Sequence, residues 1–213
     1  QYNTGFGNTA LGAYALRGAS SGTVAGAYNV AIGRNAADVL TSGNFNTVIG
    51  NDTAGTLTTG GFNTYLGRNS GNGHINGSNC TLLGNDAVPS ASSVSNEIVL
   101  GNSAVTALRC QVTSITSLSD KRDKTKIEDS NYGLNIIDKL KPVTFDWNTR
   151  DGAKVGVKDL GFIAQDLQEV DDENLKLVYD VNPEKLEASY GRLIPVLVKA
   201  IQELKAEIEI LKS

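Results

Sequence analysis

Thr9-Ala10-Leu11-Gly12, Val30-Ala31-Ile32-Gly33, Thr47-Val48-Ile49-Gly50, Thr64-Tyr65-Leu66-Gly67, Thr81-Leu82-Leu83-Gly84 and Ile98-Val99-Leu100-Gly101 are six copies of one phrase. The last five glycines fall at 33, 50, 67, 84 and 101, a constant step of 17 residues. A fixed period of this kind predicts stacked repeats before any single residue is interpreted. Within a unit, a triplet such as Thr47-Val48-Ile49 has strand character, and the Gly-Asn-Asp that follows is turn chemistry. A second turn recurs at Thr41-Ser42-Gly43-Asn44, Thr59-Gly60-Gly61 and Asn76-Gly77-Ser78. Between the turns, Ala36-Ala37, Ala54 and Ala87 are the expected small inward residues of an irregular limb. One unit cannot bury its apolar face alone, but stacked units share a narrow continuous core. The pattern therefore predicts an all-β repeat, a β-solenoid or β-roll, over residues 1–110. A rung of 17 residues makes a thin column, so several columns are expected to associate side by side.

The repeat ends abruptly. Residues 1–110 hold 18 of the 23 glycines and only 8 of the charged residues, whereas residues 111–213 hold 5 glycines and 34 charges. The boundary is expected within residues 109–116, and the absence of a Pro- or Ser-rich linker predicts a stiff continuation. A net charge of -4 argues against nucleic acid as a partner. No stretch is apolar enough to predict membrane insertion. The start at Gln1, inside the repeat, is what a piece of a longer chain would show. Cys80 and Cys110 form neither a metal spacing nor a disulfide framework, and neither a metal nor a cofactor is expected. Cys80 stands where earlier repeats carry Asn29, Asn46 and Asn63, and reads as a small buried side chain. His74, the single histidine, lies in a Gly/Asn-rich turn and is expected to be solvated, which removes the base of a Ser-His-Asp mechanism. Gly5-Phe6-Gly7 with Gly12 is a product of glycine density and closes no strand–turn–helix nucleotide site.

The second half opens with Leu118-Ser119-Asp120-Lys121-Arg122-Asp123-Lys124. A serine and a lysine five residues apart are common in polar loops, and on spacing alone this is a solvated charge run. Downstream, Gly133-Leu134-Asn135-Ile136-Ile137-Asp138-Lys139-Leu140 has helical periodicity ended by Lys141-Pro142, and Val143-Thr144-Phe145-Asp146-Trp147 reads as a strand. Leu160-Gly161-Phe162-Ile163-Ala164-Gln165-Asp166-Leu167 then reads as a strand passing into a short helix. Together these pieces resemble, in order, the auto-cleaving intramolecular chaperone at the C-terminus of phage tail spikes and tail fibres, including endosialidases. The repeats, over roughly residues 3–105, resemble those of phage tail fibres and trimeric adhesin heads. The family signature runs Ser-Asp-x-Arg-x-Lys, then Leu-x-Pro-x-x-Phe/Tyr-x-Trp/Tyr, then Gly-x-Ile-Ala-Gln-Glu-Val. Here it is met by residues 119–124, 140–147 and 161–167, with Asp123 in place of an apolar residue and Asp166-Leu167 in place of Glu-Val.

The resemblance implies an α+β chaperone domain over residues 111–213 that trimerises, guides folding of the β stalk, and cuts its own chain between Ser119 and Asp120. Ser119 would be the nucleophile of a single-turnover Ser–Lys peptidase and Lys124 its general base. Arg122 or Asp120 would position them, and Gln165 would support the loop. Arg122 would also have to neutralise Asp123, because an anion beside Lys124 weakens it as a base.

From about residue 190 the chain reads as one helix to its end. Leu197, Ile201, Leu204, Ile208 and Leu211 follow the 4-3-4-3 spacing of a coiled-coil seam. That seam either packs on its own domain or meets partner helices, and the resemblance implies a trimer. The partners expected are two further copies of the chain, the upstream fibre portion, and a host-surface glycan or protein receptor. The expected location is the virion, after assembly in the host cytoplasm. A non-cleaving trimerisation cap on a receptor-binding fibre is the alternative. There Phe45, Phe62 and Tyr65 at repeat corners either contact glycans or pack column against column.

Overall fold

The computed structural model describes residues 2–3, 5–19, 23–24, 26–111 and 115–213. Residues 112–114 of the expected boundary lie outside them. The chain divides into two compact units, Gln1–Thr106 and Ala107–Ser213.

The first unit is a β-solenoid of about five turns. Strands β2 (Thr9–Leu11), β4 (Val30–Ile32), β5 (Thr47–Ile49), β6 (Thr64–Leu66), β7 (Thr81–Leu83) and β8 (Ile98–Leu100) form one six-stranded parallel sheet in chain order. Val30 pairs with Thr47, Thr47 with Thr64, Thr64 with Thr81 and Thr81 with Ile98, so the sequence period is the strand register. A short parallel pair joins β1 (Tyr2–Asn3), before β2, to β3 (Thr23–Val24), which lies between β2 and β4 in the chain.

Alternation along a strand sends the middle residue inward and its two neighbours outward. Ala31, Val48, Tyr65 and Leu82 are thus fully buried and meet Ala36, Ala37, Leu40, Ala54, Leu57 and Ala87 from the opposite limb. The glycine closing each strand is sterically required. At Gly50, with φ +141°, an added Cβ would sit 2.3 Å from the Gly67 carbonyl oxygen on the next rung.

A column of asparagines runs inside the sheet edge. Asn29 and Asn46 donate through Nδ2 to the Oδ1 of the asparagine one rung earlier, and also to the Gly43 and Gly60 carbonyls at 2.9 Å. The same Oδ1 atoms accept the backbone N–H of the next rung, as Asn29 does from Asn46 and Asn46 from Asn63. Every buried amide is therefore paired, which is the condition for placing it there. Cys80 continues the column, buried as expected, and its N–H donates to Asn63 Oδ1.

Two expectations fail in this unit. His74 is not solvated but fully buried, and Tyr65 is not an exposed corner aromatic but the largest interior side chain. Tyr65 Oη lies 2.5 Å from His74 Nδ1, while His74 Nε2 lies 2.8 Å from the Val94 carbonyl. Because a carbonyl only accepts, Nε2 carries the hydrogen and Nδ1 accepts from the phenol. The Gly/Asn richness around His74 reflects the tight path that turns the imidazole inward. Burial holds the Tyr65 phenol well above its ordinary pKa.

The second unit has its own core of Ile136, Leu167, Leu175, Leu177, Leu193 and Val196. It contains a short helix α1 (Leu134–Ile137), an antiparallel hairpin β9 (Val143–Asn148) with β10 (Val155–Gly161), helix α2 (Ala164–Gln168), a small antiparallel pair β11 (Val178–Tyr179) with β12 (Glu187–Ala188), and the 20-residue helix α3 (Leu193–Lys212). Helix α3 packs at home through Leu193, Val196 and Ala200, and Glu203 Oε2 accepts the Leu134 N–H at the start of α1, at 2.8 Å. The seam expected from the heptad spacing is a different face. Leu197, Ile201, Leu204, Ile208 and Leu211 are all exposed.

Candidate functional site

Ser119 and Lys124 are brought together by a turn built from the residues between them. Asp120, in extended conformation, caps a 3-10 helical turn over Lys121–Asp123 by accepting the Arg122 N–H at 2.8 Å. An aspartate side chain bonding the amide two residues on is a common way to start such a turn. The Arg122 guanidinium returns to the same carboxylate, Nε to Oδ1 at 3.0 Å and Nη2 to Oδ2 at 2.6 Å. That fork, with the backbone N–H, holds the Asp120 carboxyl below the usual aspartate range and raises the Arg122 guanidinium. The turn closes with the Lys124 N–H on the Lys121 carbonyl. It delivers Lys124 Nζ to within 2.6 Å of Ser119 Oγ.

Arg122 therefore serves Asp120 rather than Asp123. A forked guanidinium–carboxylate pair satisfies both groups, and Asp120 offers it within the turn. Sequence reasoning left open which of Asp120 and Arg122 positions the site, and the geometry makes them one clamp. Gln165 lies elsewhere, lining an open polar groove with Arg150, Glu184 and Lys185. The hydrogen bonds of the 119–124 turn are made without it.

Chemically, the pair has the reach a serine nucleophile and a lysine base need. In the resting arrangement Nζ donates to Oγ, whereas catalysis reverses the bond, a neutral amine accepting the hydroxyl proton. A lysine becomes such a base through desolvation or cationic neighbours. Both Ser119 and Lys124 are exposed in the single chain.

The motifs downstream are explained by packing. Trp147 Nε1 donates to Asp159 across the hairpin at 2.9 Å, and Lys154 lies over its ring at 4.2 Å. A Cβ at Gly161 would meet Tyr190 Oη at 2.4 Å, and the same phenol accepts the Phe162 N–H. The family motif's Gly-x-Ile-Ala segment is thus shaped by a tyrosine outside it, which no local pattern announces.

Among the described residues no group of three or more His, Cys, Asp or Glu could hold a metal, and no helix is long and apolar enough to cross a membrane. Of the three aromatics considered for glycan contact, Tyr65 is interior. Phe45 is sandwiched between Tyr28 and Phe62, centroids 5.1 Å apart on both sides with near-parallel rings. A sugar stacks on a ring face, and both Phe45 faces are occupied.

These features define a repetitive β-solenoid followed by an α+β unit with a Ser–Lys pair at its entry. Residues 119–176 match the family model described as the chaperone of endosialidase, and the matched segment opens on Ser119. The match supports a role as the chaperone of a phage tail protein. No curated protein and no solved structure matches the chain.

Proposed function

We propose that this chain is part of a phage tail fibre or tail spike whose C-terminal unit trimerises, guides folding of the β-solenoid, and then releases itself by one self-cleavage between Ser119 and Asp120. The observation that carries this reading is the 2.6 Å approach of Lys124 Nζ to Ser119 Oγ at the first residues of the matched segment. Lys124, as the neutral amine, takes the Oγ proton, and Oγ bonds to the scissile carbonyl carbon. The C–N bond breaks, the Asp120 amine leaves with the proton, and water hydrolyses the resulting ester.

A serine hydroxyl cannot reach its own carbonyl carbon without closing a four-membered ring. Attack on the Ser119–Asp120 bond therefore comes from the dyad of another copy, which ties cleavage to assembly. Close approach of other copies would also supply the desolvation that an exposed Lys124 needs. Trimerisation uses the exposed α3 seam of Leu197, Ile201, Leu204, Ile208 and Leu211. The upstream fibre is the client, and the assembled virion fibre, completed in the host cytoplasm, contacts a host-surface receptor.

Freshly expressed wild-type chain should yield fragments ending at Ser119 and starting at Asp120, and Ser119→Ala or Lys124→Ala should abolish them. In co-expression with wild type, a tagged Ser119→Ala chain should be cut. If it stays whole while wild type is cut, attack between copies is wrong. The mass of the purified complex before and after denaturation reports stoichiometry and cleavage together. Persistent full-length wild type in a trimer would instead support a non-cleaving cap, a reading favoured by the exposure of Ser119 and Lys124.

A further inference from the structure

The outward positions of the solenoid sheet form three rows. One is Leu11, Ile32, Ile49, Leu66, Leu83 and Leu100, and the next is Thr9, Val30, Thr47, Thr64, Thr81 and Ile98. The third precedes each strand by two residues: Tyr28, Phe45 and Phe62, continued by Asn79 and Asn96, all with φ between 57° and 64°. No charged residue occurs in any row. The Arg34–Asp52 and Arg68–Asp86 ion pairs lie beyond the glycine that ends each strand. Leu66 is 49 % exposed, Leu100 52 % and Phe62 64 %. The solenoid thus keeps this face uncharged, with apolar side chains exposed over much of it, while the ion pairs lie to another side. Contiguous exposed apolar surface of this kind marks an interaction site.

We infer that this outer sheet face is the surface on which the solenoids of separate copies pack against one another. The inference rests on the self-associating reading given above and assigns its interface in the stalk. Phe45, covered on both faces by its neighbours, presents only its edge, which disfavours a sugar there and suits aliphatic side chains. An uncharged face needs an equally uncharged partner, and another copy offers one with the same rung spacing.

The face is small. Six strands about 4.8 Å apart, with about four residues across at about 3.3 Å each, give a face of roughly 25 by 13 Å. That is roughly 300–350 Å² in plan, well under the ~800 Å² per partner of a stable interface. The face alone would not hold two chains together. Turned toward a three-fold axis it meets both neighbours, and it then depends on the C-terminal unit to bring the chains into contact.

The test uses the full chain with Cys110→Ser, which removes the exposed thiol and leaves only the buried Cys80. Leu66→Cys places a thiol on the face, Arg68→Cys places one two residues along on the charged side, and Leu83→Cys guards against a local folding defect at 66. Native mass spectrometry establishes stoichiometry, and maleimide labelling rates are then compared. The expected result is an oligomer in which thiols at 66 and 83 react at least tenfold more slowly than at 68. A monomer overturns the self-association reading and this face with it. An oligomer in which all three thiols react alike, whether fast or slow, overturns the face and leaves self-association standing. Protection that appears only on adding cell-surface polysaccharide assigns the face to a glycan and overturns the proposal.

Discussion

The Tyr65 phenol donates to Nδ1 of His74 inside the solenoid, across 2.5 Å, and His74 Nε2–H answers the Val94 carbonyl. This pair breaks the equivalence of the rungs. The asparagine column and the glycine closures recur every 17 residues, so by themselves they would tolerate a slip of one whole rung. Tyr65 does not. It needs the space left by Gly71, where a Cβ would lie 2.6 Å from its ring, and it needs His74 nine residues on. Weak register is what the repeat alone suggests, and one rung supplies a key.

Tyr65→Phe should keep the shape of that key and remove its bond, leaving the buried His74 Nδ1 without a donor. A loss of about 1–3 kcal/mol in solenoid stability is expected, measured by chemical denaturation of the Lys124→Ala chain. Gly71→Ala should cost more than its φ of 72° accounts for, because the methyl meets the Tyr65 ring. Combined with Tyr65→Leu, part of that excess should disappear in a double-mutant cycle. Additive effects would show that ring and glycine do not interact.

Asn46→Ala should be among the most damaging polar changes in the repeat. It removes the acceptor of the Asn63 N–H and the donor to the Gly60 carbonyl, both buried. At least about 2 kcal/mol of destabilisation is expected from two unsatisfied backbone groups. Asn63→Cys should be milder. Cys80 already fills the next place in the column, where its Sγ lies 3.5 Å from the Val94 carbonyl. Equal losses from both changes would count against the column as a register device.

Glu203→Ala should fray the start of α1. Its carboxylate accepts the Leu134 N–H across 69 residues of sequence, acting as a cap supplied by another helix. A cost of about 0.5–2 kcal/mol is expected, and amide exchange at Leu134 should quicken while the α3 amides near Val196 keep their protection.

The 119–124 turn should open in acid. The Arg122 hydrogen bonds hold Asp120 below its ordinary value of 3.8 when folded. A depressed carboxylate stabilises the turn fully above the unfolded pKa, and loses that effect as pH falls through the lower folded one. Between pH 5 and 8 the turn should be insensitive to pH. Below about 3.8 the Arg122 Nε–H resonance should move toward that of a free guanidinium. Asp120→Asn should show no such transition, and it should slow self-cleavage by loosening the turn that brings Lys124 to Ser119.

Much of this was legible in the sequence. The 17-residue step gave the parallel register residue for residue, because in a solenoid the repeat length is the length of one rung. The alanines at 36, 37, 54 and 87 were identifiable as interior, since only small side chains fit so narrow a column. Ser119 and Lys124 could be singled out through the ordered motifs around them, although five-residue spacing alone reads as a solvated charge run.

Other features depended on the tertiary path. His74 moved from expected surface to core because its turn brings the imidazole against the Val94 carbonyl, 20 residues on, whereas Tyr65, the middle residue of β6, is buried by the same strand alternation as Val48 and Leu82. Arg122 took Asp120 rather than Asp123 because the turn places one carboxylate within its fork. The terminal helix carries two apolar faces, and periodicity favoured the longer one, Leu197 to Leu211. The domain core instead took Leu193 and Val196, which cluster with Ile136 of α1 and Leu167 of α2, and Ala200 is buried too. Repeat length, strand register and the chemistry-bearing pair were thus set locally, by covalent spacing and side-chain size. Which side chains share an interior, which charges pair, and which helix face is left for a partner were decided only by tertiary structure, because each depends on contacts between residues that sequence distance does not relate.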